Sequence, residues 1–340
     1  MRPTVRDLAK TAGVSLATVD RVLNGRRGVT RDTIERVNRA IAETGFTRNV
    51  SAAALARGRA LRFLFLLPAT DDLFIGMIRD RIAEANVALA AESVQLSVRE
   101  LDAGDPHAAA RQIAEVGAGE VDGVAVMAAE TPQVRDALSR LEDRIPHVVA
   151  LIAGQAAAPT LPFVGIDDRR AGATAARLIG RFSRKTSGTV LVVGESMSLR
   201  NEIERRLGFD AVLQASFPGL HALPSLETHR DGARTSRILD RACANVPDLA
   251  GIYLMSTDAR PALGALDGWR GRERPVIVAH ERTPVTERHL RRGTIDALIA
   301  QDPGHLVRSA VRRLRAHRED RATIASQEDI RIEVLLPDNL

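Results

Sequence analysis

The chain holds one cysteine, Cys243, in 340 residues. An internal disulfide and a cysteine-cluster metal site are thereby excluded, and a lone thiol of this kind reads as buried and inert. Lysine is nearly as scarce: only Lys10 and Lys185 occur, so almost all positive charge is guanidinium, which we attribute to codon usage. No apolar run approaches the roughly 20 residues that cross a bilayer. The opening MRPTVRDLAK also lacks the apolar centre and cleavage site of a secretory signal, so the expected location is the cytoplasm. A GxxxxGK[ST] phosphate loop, a GxGxxG turn after a strand, metal-ligand spacing of Cys and His, and a nucleophile elbow are all missing. Nothing demands catalysis, and no cofactor or metal is expected.

What is present is a globular composition, 45% hydrophobic and 27% charged, in a chain too long for one ordinary core. A small appendage beside one large or two medium domains is expected. Charge is uneven along it. Residues 1–60 carry twelve lysines and arginines against five carboxylates, a net of +7 that leaves −2 for the rest of the +5 chain. A basic patch concentrated in sixty residues is the footprint of a polyanionic partner, although charge alone does not separate DNA from RNA or a membrane.

Within that stretch Thr4 and Asp7 frame a helix start, Val5, Leu8, Ala9 and Ala12 repeat at helical spacing, and Gly13 ends the run. Ser15 caps a second helix with Leu16, Val19, Val22 and Leu23 on one face, stopped at Asn24-Gly25. Thr30 starts a third with Ile34, Val37, Ile41 and Ala42. The few residues around Gly13 suit two short helices crossing steeply with Ala9 against Val19. Three such helices predict a helix-turn-helix domain over 1–48, the second helix entering the major groove of DNA.

The segments TVRDLAKTAGVSLATVDRVLNG, VTRDTIERVNRAIAETGFTRN and AALARGR resemble the lactose repressor (LacI) family of bacterial regulators. The resemblance implies base contacts from the helix beginning near Ser15, through Leu16, Ala17 and Arg21, with Thr4, Thr18 and Asn24 at the backbone. A guanidinium bonds a guanine edge twice, making Arg21 the strongest reader. Asp20 departs from the family's small hydroxyl residue and leaves the operator sequence open. Residues 49–60 correspond to a hinge that becomes helical on cognate DNA, with Asn49 and Ala52 at the duplex and Leu55 as a minor-groove wedge; a plain helical linker is the alternative. The resemblance also implies a homodimer on a near-palindromic operator, and IRIEVLLPDNL, without a leucine heptad, suggests no tetramerising tail.

From Arg62 onward, consecutive apolar runs (FLFLLP, VDGVAVM, HVVALI, then GTVLVVG, AGIYLM, PVIVAH) alternate with helical patterns. This predicts doubly wound parallel sheets in two lobes, within an effector-binding domain over 61–340. The expected N-lobe covers about 61–160 plus 296–325, with late strands returning to it, and the C-lobe about 161–295 plus 326–340. Ligands bind such sheets at the carboxyl ends of the strands. VGIDDRRAG, ERRLGF, ERTP and IAQDPG resemble periplasmic sugar-binding proteins and the LacI sensor domain. Matched residue by residue, Asp72, Phe74, Glu130, Arg205, Asp258, Glu281 and Gln301 form the expected effector ring. Phe74 has core filling as its alternative, and Arg205 and Asp258 have ion pairing. His280 reads as a buried histidine satisfied by its neighbours. Carboxylates and amides suit a polyhydroxyl ligand, and with aromatics at 3% a small sugar or polyol is favoured over a strongly stacked pyranose. The expectation is a non-enzymatic DNA-binding regulator, with induction or corepression left open. A cytoplasmic small-molecule binding protein is the rival.

Overall fold

Thr4 accepts a hydrogen bond from the Asp7 amide at 3.3 Å while the Asp7 carboxylate accepts from the Thr4 amide at 2.8 Å. This reciprocal cap opens helix α1 (Val5–Ala12), which ends at Gly13 with φ 65°. The Ser15 hydroxyl accepts from the Thr18 amide at 3.1 Å and starts α2 (Leu16–Leu23); α3 (Arg31–Thr44) follows Thr30 and stops at Gly45. Leu8, Ala9, Val19, Val37, Ala40 and Phe46 form one apolar cluster at the centre of the three helices. In this computed structural model the described residues are 3–23, 28–46, 60–145, 147–154, 161–267, 274–319 and 321–340. Contacts divide the chain into two units, Met1–Ala60 and Leu61–Leu340.

The larger unit begins with β1 (Leu61–Pro68), α4 (Leu73–Leu89), β2 (Val94–Leu101), α5 (Pro106–Ala114), β3 (Gly123–Val126), α6 (Pro132–Arg144), β4 (Val148–Leu151) and β5 (Phe163–Val164). These strands make a parallel sheet in the order β2-β1-β3-β4-β5. The rhythm restarts with α7 (Asp168–Phe182), β6 (Gly188–Gly194), α8 (Arg200–Ser216), β7 (Leu220–Ala222), β8 (Leu226–Glu227), α9 (Gly232–Asn245), β9 (Leu249–Leu254), α10 (Arg260–Leu266), β10 (Val276–His280), α11 (Pro284–Arg291) and β11 (Ala297–Ala300). Then come α12 (Pro303–Glu319), α13 (Ala325–Glu328) and β12 (Glu333–Leu335). The second sheet runs β12-β11-β10-β9-β6-β7, with β8 also on β6 and only β12 antiparallel. The central strands β3, β4, β9 and β11 are buried on both faces because helices cover both, which is why their sequences are apolar at consecutive positions, whereas the edge strand β2 alternates buried and exposed residues.

Two boundaries differ from the sequence expectation. Phe163–Val164 closes the first sheet beside β4 and does not open the second lobe. Ala297–Ala300, expected to return to the first lobe, pairs with β10 in the second. The short link from α11 delivers β11 to the strand just completed, as a βαβ crossover does. The return is made by a helix: α12 turns Leu306, Val307, Ala310 and Leu314 onto the core that holds Ala125 and Val149 of the first sheet.

Candidate effector cleft and DNA-reading surface

On the helical unit, Ser15, Leu16, Ala17, Asp20 and Arg21 are exposed together on α2, while Val19 points inward. Thr18 is half-buried and its hydroxyl shares a 2.8 Å hydrogen bond with that of Ser15. Thr4 is exposed, with its hydroxyl on Asp7. Asn24, Asn49, Ala52 and Leu55 lie outside the described residues. Arg6 and Lys10, both exposed on α1, are cations that pattern reading passed over.

In the larger unit the carboxyl ends of both sheets meet across a cleft. Asp72 caps α4, accepting from the Phe74 amide at 2.8 Å, and its other oxygen accepts from the Thr257 hydroxyl of the second lobe at 2.7 Å. Three arginines of the second lobe also span the cleft. Arg260 reaches the Asp71 carbonyl at 3.0 Å, Arg230 donates to the Thr70 hydroxyl at 2.8 Å, and Arg200 approaches Glu130 at 3.7 Å. Behind these contacts lies a cavity of about 120 Å³ with Ile75, Leu101, Met127 and Val134 on its apolar wall and Glu130, Glu202 and Thr257 at its polar side.

Deeper in the second lobe, α7 and α8 cross in backbone contact. A Cβ at Gly172 would stand 1.8 Å from the Arg205 carbonyl oxygen, and one at Gly208 would stand 1.8 Å from that of Arg169. Only glycine permits this approach. It brings the Arg205 Nε to 2.7 Å from Asp168, while Nη1 donates to the Met255 carbonyl after β9 at 2.7 Å. Arg205 is 0% exposed, and its Nη2 lies 3.8 Å from Glu281, which is equally buried. Gln301 follows β11 and donates to Glu281 Oε1 at 2.9 Å. Glu281 holds φ 61°, the left-handed region a side chain rarely occupies, so the backbone there is strained to aim it inward.

Four atoms of this cluster have no hydrogen-bond partner among the described residues: Arg205 Nη2, Glu281 Oε2, Gln301 Oε1 and His280 Nδ1. Each such orphan costs about 1–3 kcal/mol, so their concentration in one place marks a site shaped for a polar guest. Burial pushes the Glu281 carboxyl up to about 7 against the pull of Arg205 and the Gln301 amide. Burial likewise lifts Glu202 to about 7, although its oxygens accept from the Glu195 and Ser196 amides. His280 is held neutral by burial, with Nε2 2.7 Å from the Tyr253 hydroxyl.

Arg205, Glu281 and Gln301 therefore meet directly, Asp72 is near enough to raise the Glu281 pKa, and Glu130 lines the adjoining cavity. Two expected members do not join them. Phe74 packs beneath α4 with Phe63 and Ile78 in the core, because the cap at Asp72 turns that side chain into the lobe. Asp258 is occupied by Arg260, at 2.9 and 2.8 Å, and braces the arginine that crosses to Asp71. Asp168 and Thr257, which the sequence reading did not single out, take their places. Asp168 stands inside VGIDDRRAG, a segment already notable, but two adjacent aspartates look alike in sequence. Cys243 is half-buried, its thiol pushed up to about 11 by burial, and touches none of this.

Two doubly wound lobes, joined by crossing segments and enclosing a polar cluster at their strand ends, define a periplasmic-binding-protein-like domain, here in one chain with a helix-turn-helix unit. The chain belongs to the lacI family of bacterial regulatory proteins, whose model matches residues 4–49, while that of the periplasmic binding protein domain matches residues 63–321. It is similar to the HTH-type transcriptional regulator DegA of Bacillus subtilis, 28% identical over 71% of each chain. Likeness to the regulator MalR of Streptococcus pneumoniae is 26% over 63% of each, a little under two thirds of that relative's length. Among solved structures, GanP, a glucose-galactose binding protein from Geobacillus stearothermophilus, superposes with TM-score 0.72 at 19% identity, over 83% of this chain and 99% of that one. The protein is a DNA-binding transcriptional regulator with a periplasmic-binding-protein-like domain, from a family without enzymatic activity.

Proposed function

We propose that this regulator is a homodimeric repressor whose hold on a near-palindromic operator is controlled by a small sugar or polyol bound between its lobes. Ser15, Leu16, Ala17, Thr18, Asp20 and Arg21, with Thr4, Asn24, Asn49, Ala52 and Leu55, are the residues we assign to DNA. Asp72, Glu130, Asp168, Arg205, Glu281 and Gln301 are those we assign to the effector. The observation that carries the effector reading is the set of four unpartnered buried polar atoms around Arg205 and Glu281. Hydroxyl groups both donate and accept, so one polyol answers the needs of a guanidinium, a carboxylate and an amide oxygen together. Ligand that holds the lobes closed moves the first lobes of the two subunits relative to each other, and so biases the paired DNA-binding units.

In vitro selection from a random duplex library tests the DNA half with no operator sequence assumed. The expected product is a near-palindrome whose binding weakens when a bound sugar or polyol, found by thermal shift, is added. Arg21→Ala is expected to remove about 1–3 kcal/mol of discrimination between the selected site and a scrambled duplex, read by gel shift, while leaving ligand affinity unchanged. Selected sites without two-fold symmetry would remove the dimer assignment, and tighter DNA binding with ligand would make the effector a corepressor.

A further inference from the structure

The charge around the cleft is opposite to that of the chain as a whole. Arg205 is the cation of the deep cluster, and around it stand Asp72, Asp168, Glu202 and Glu281, all buried or nearly so. Three of these carboxylates are answered by the protein. Asp168 takes the Arg205 Nε, Glu202 takes two backbone amides, and Asp72 takes the amides of α4 and the Thr257 hydroxyl. Glu281 is the exception. One oxygen accepts from Gln301, the guanidinium stays 3.8 Å away, and Oε2 meets no donor. Beside it Gln301 Oε1 is a second acceptor without a donor, Nε2 being the atom that donates to Glu281. On the other side Arg205 Nη2 is a donor without an acceptor.

Resting on the reading of a polyol effector, we infer that the effector carries an amine next to a hydroxyl, the ammonium seated between Glu281 Oε2 and Gln301 Oε1 and the hydroxyl oxygen accepting from Arg205 Nη2. An ammonium offers three donors and no acceptor, which matches two orphan acceptors beside the further negative charge of Asp72. A neutral polyol satisfies the same atoms but brings no positive charge to Glu281, whose cationic neighbour Arg205 stands 3.8 Å away in a water-poor site. A phosphate or carboxylate ligand would add negative charge to a cluster already holding four carboxylates.

Isothermal titration of the full-length protein decides the question, with alditols whose terminal hydroxyl is replaced by an amine set against the unmodified alditols. The amino alditols are expected to bind about tenfold more tightly or better, a charge-assisted bond replacing a neutral one. Their affinity is expected to rise from about pH 6 to about pH 8 as Glu281 gives up its proton. Facing that group are Arg205, Asp168, Asp72 and Gln301, with His280 turned to Tyr253. Glu281→Gln is expected to bring the amine-to-alditol ratio to about one. Should that variant fail to fold, the wild-type comparison is decisive by itself. Equal or tighter binding of the neutral alditols overturns the amine and leaves the polyol reading intact, whereas binding of neither series overturns both.

Discussion

At the scale of single residues, the candidate site is organised around one buried guanidinium. A charge taken from water is tolerated only when paired and hydrogen-bonded, and Arg205 has Asp168 and the Met255 carbonyl for that purpose. Glu281 and Glu202 have less than they need, and each is raised from 4.5 to about 7 by burial. A carboxyl with a raised pKa binds its proton more tightly in the folded state. Its contribution to stability is therefore full below about pH 4.5 and lost as pH climbs through 7. Thermal melts from about pH 5 to about pH 8 should show a midpoint that falls with pH, a fall reduced in Glu202→Gln and in Glu281→Gln. A flat profile in the wild type would mean that both groups are better solvated than their burial implies.

At the scale of elements, the crossing of α7 and α8 matters more to the site than either helix alone. Gly172 and Gly208 put each helix against the other's backbone, and that approach sets the 2.7 Å contact between Asp168 and Arg205. Backbone oxygens cannot rotate aside as a side chain can. Gly208→Ala should therefore cost about 3 kcal/mol or more, at the upper end of overpacking, and weaken effector binding as well. Chemical denaturation checks the first effect and titration with the effector the second. A variant with unchanged stability would show that the helices have room to separate. The glycines were visible in sequence, in RRAGATAA and RRLGFDAV, but nothing there indicated that they face each other.

At the scale of the sensor unit, closure is held by contacts that run from one lobe to the other. The Thr257 hydroxyl on Asp72 is the most buried of them, and Arg260, Arg230 and Arg200 span the cleft nearer its surface. Exposed ion pairs contribute little each, so the hydrogen bond to the buried Asp72 should matter most. Thr257→Val, similar in shape without the hydroxyl, is expected to weaken closure by about 2 kcal/mol. Small-angle scattering should then report a larger radius of gyration, and effector affinity should drop by on the order of thirtyfold as the closed fraction falls. Unchanged scattering and affinity would assign closure to the arginines.

Local signals in the chain were sufficient for the three-helix unit, since helix starts at Thr4, Ser15 and Thr30, a stop at Gly13 and periodic apolar faces all lie within a few residues of one another. The doubly wound class was legible for a similar reason: strands buried on both faces must be apolar throughout, and helices between them must be amphipathic. Only the tertiary structure decided what depends on residues far apart in sequence. Whether Ala297–Ala300 joined one sheet or the other turned on the strand beside it, and both edges would have accepted the same four apolar residues. Phe74 and Asp258 carried the right chemistry at the right strand ends, but a helix cap turned one into the core and a neighbouring arginine occupied the other. Asp168 entered the site because two glycines let a helix thirty-seven residues away come within hydrogen-bonding reach, a contact created by packing that no local pattern records.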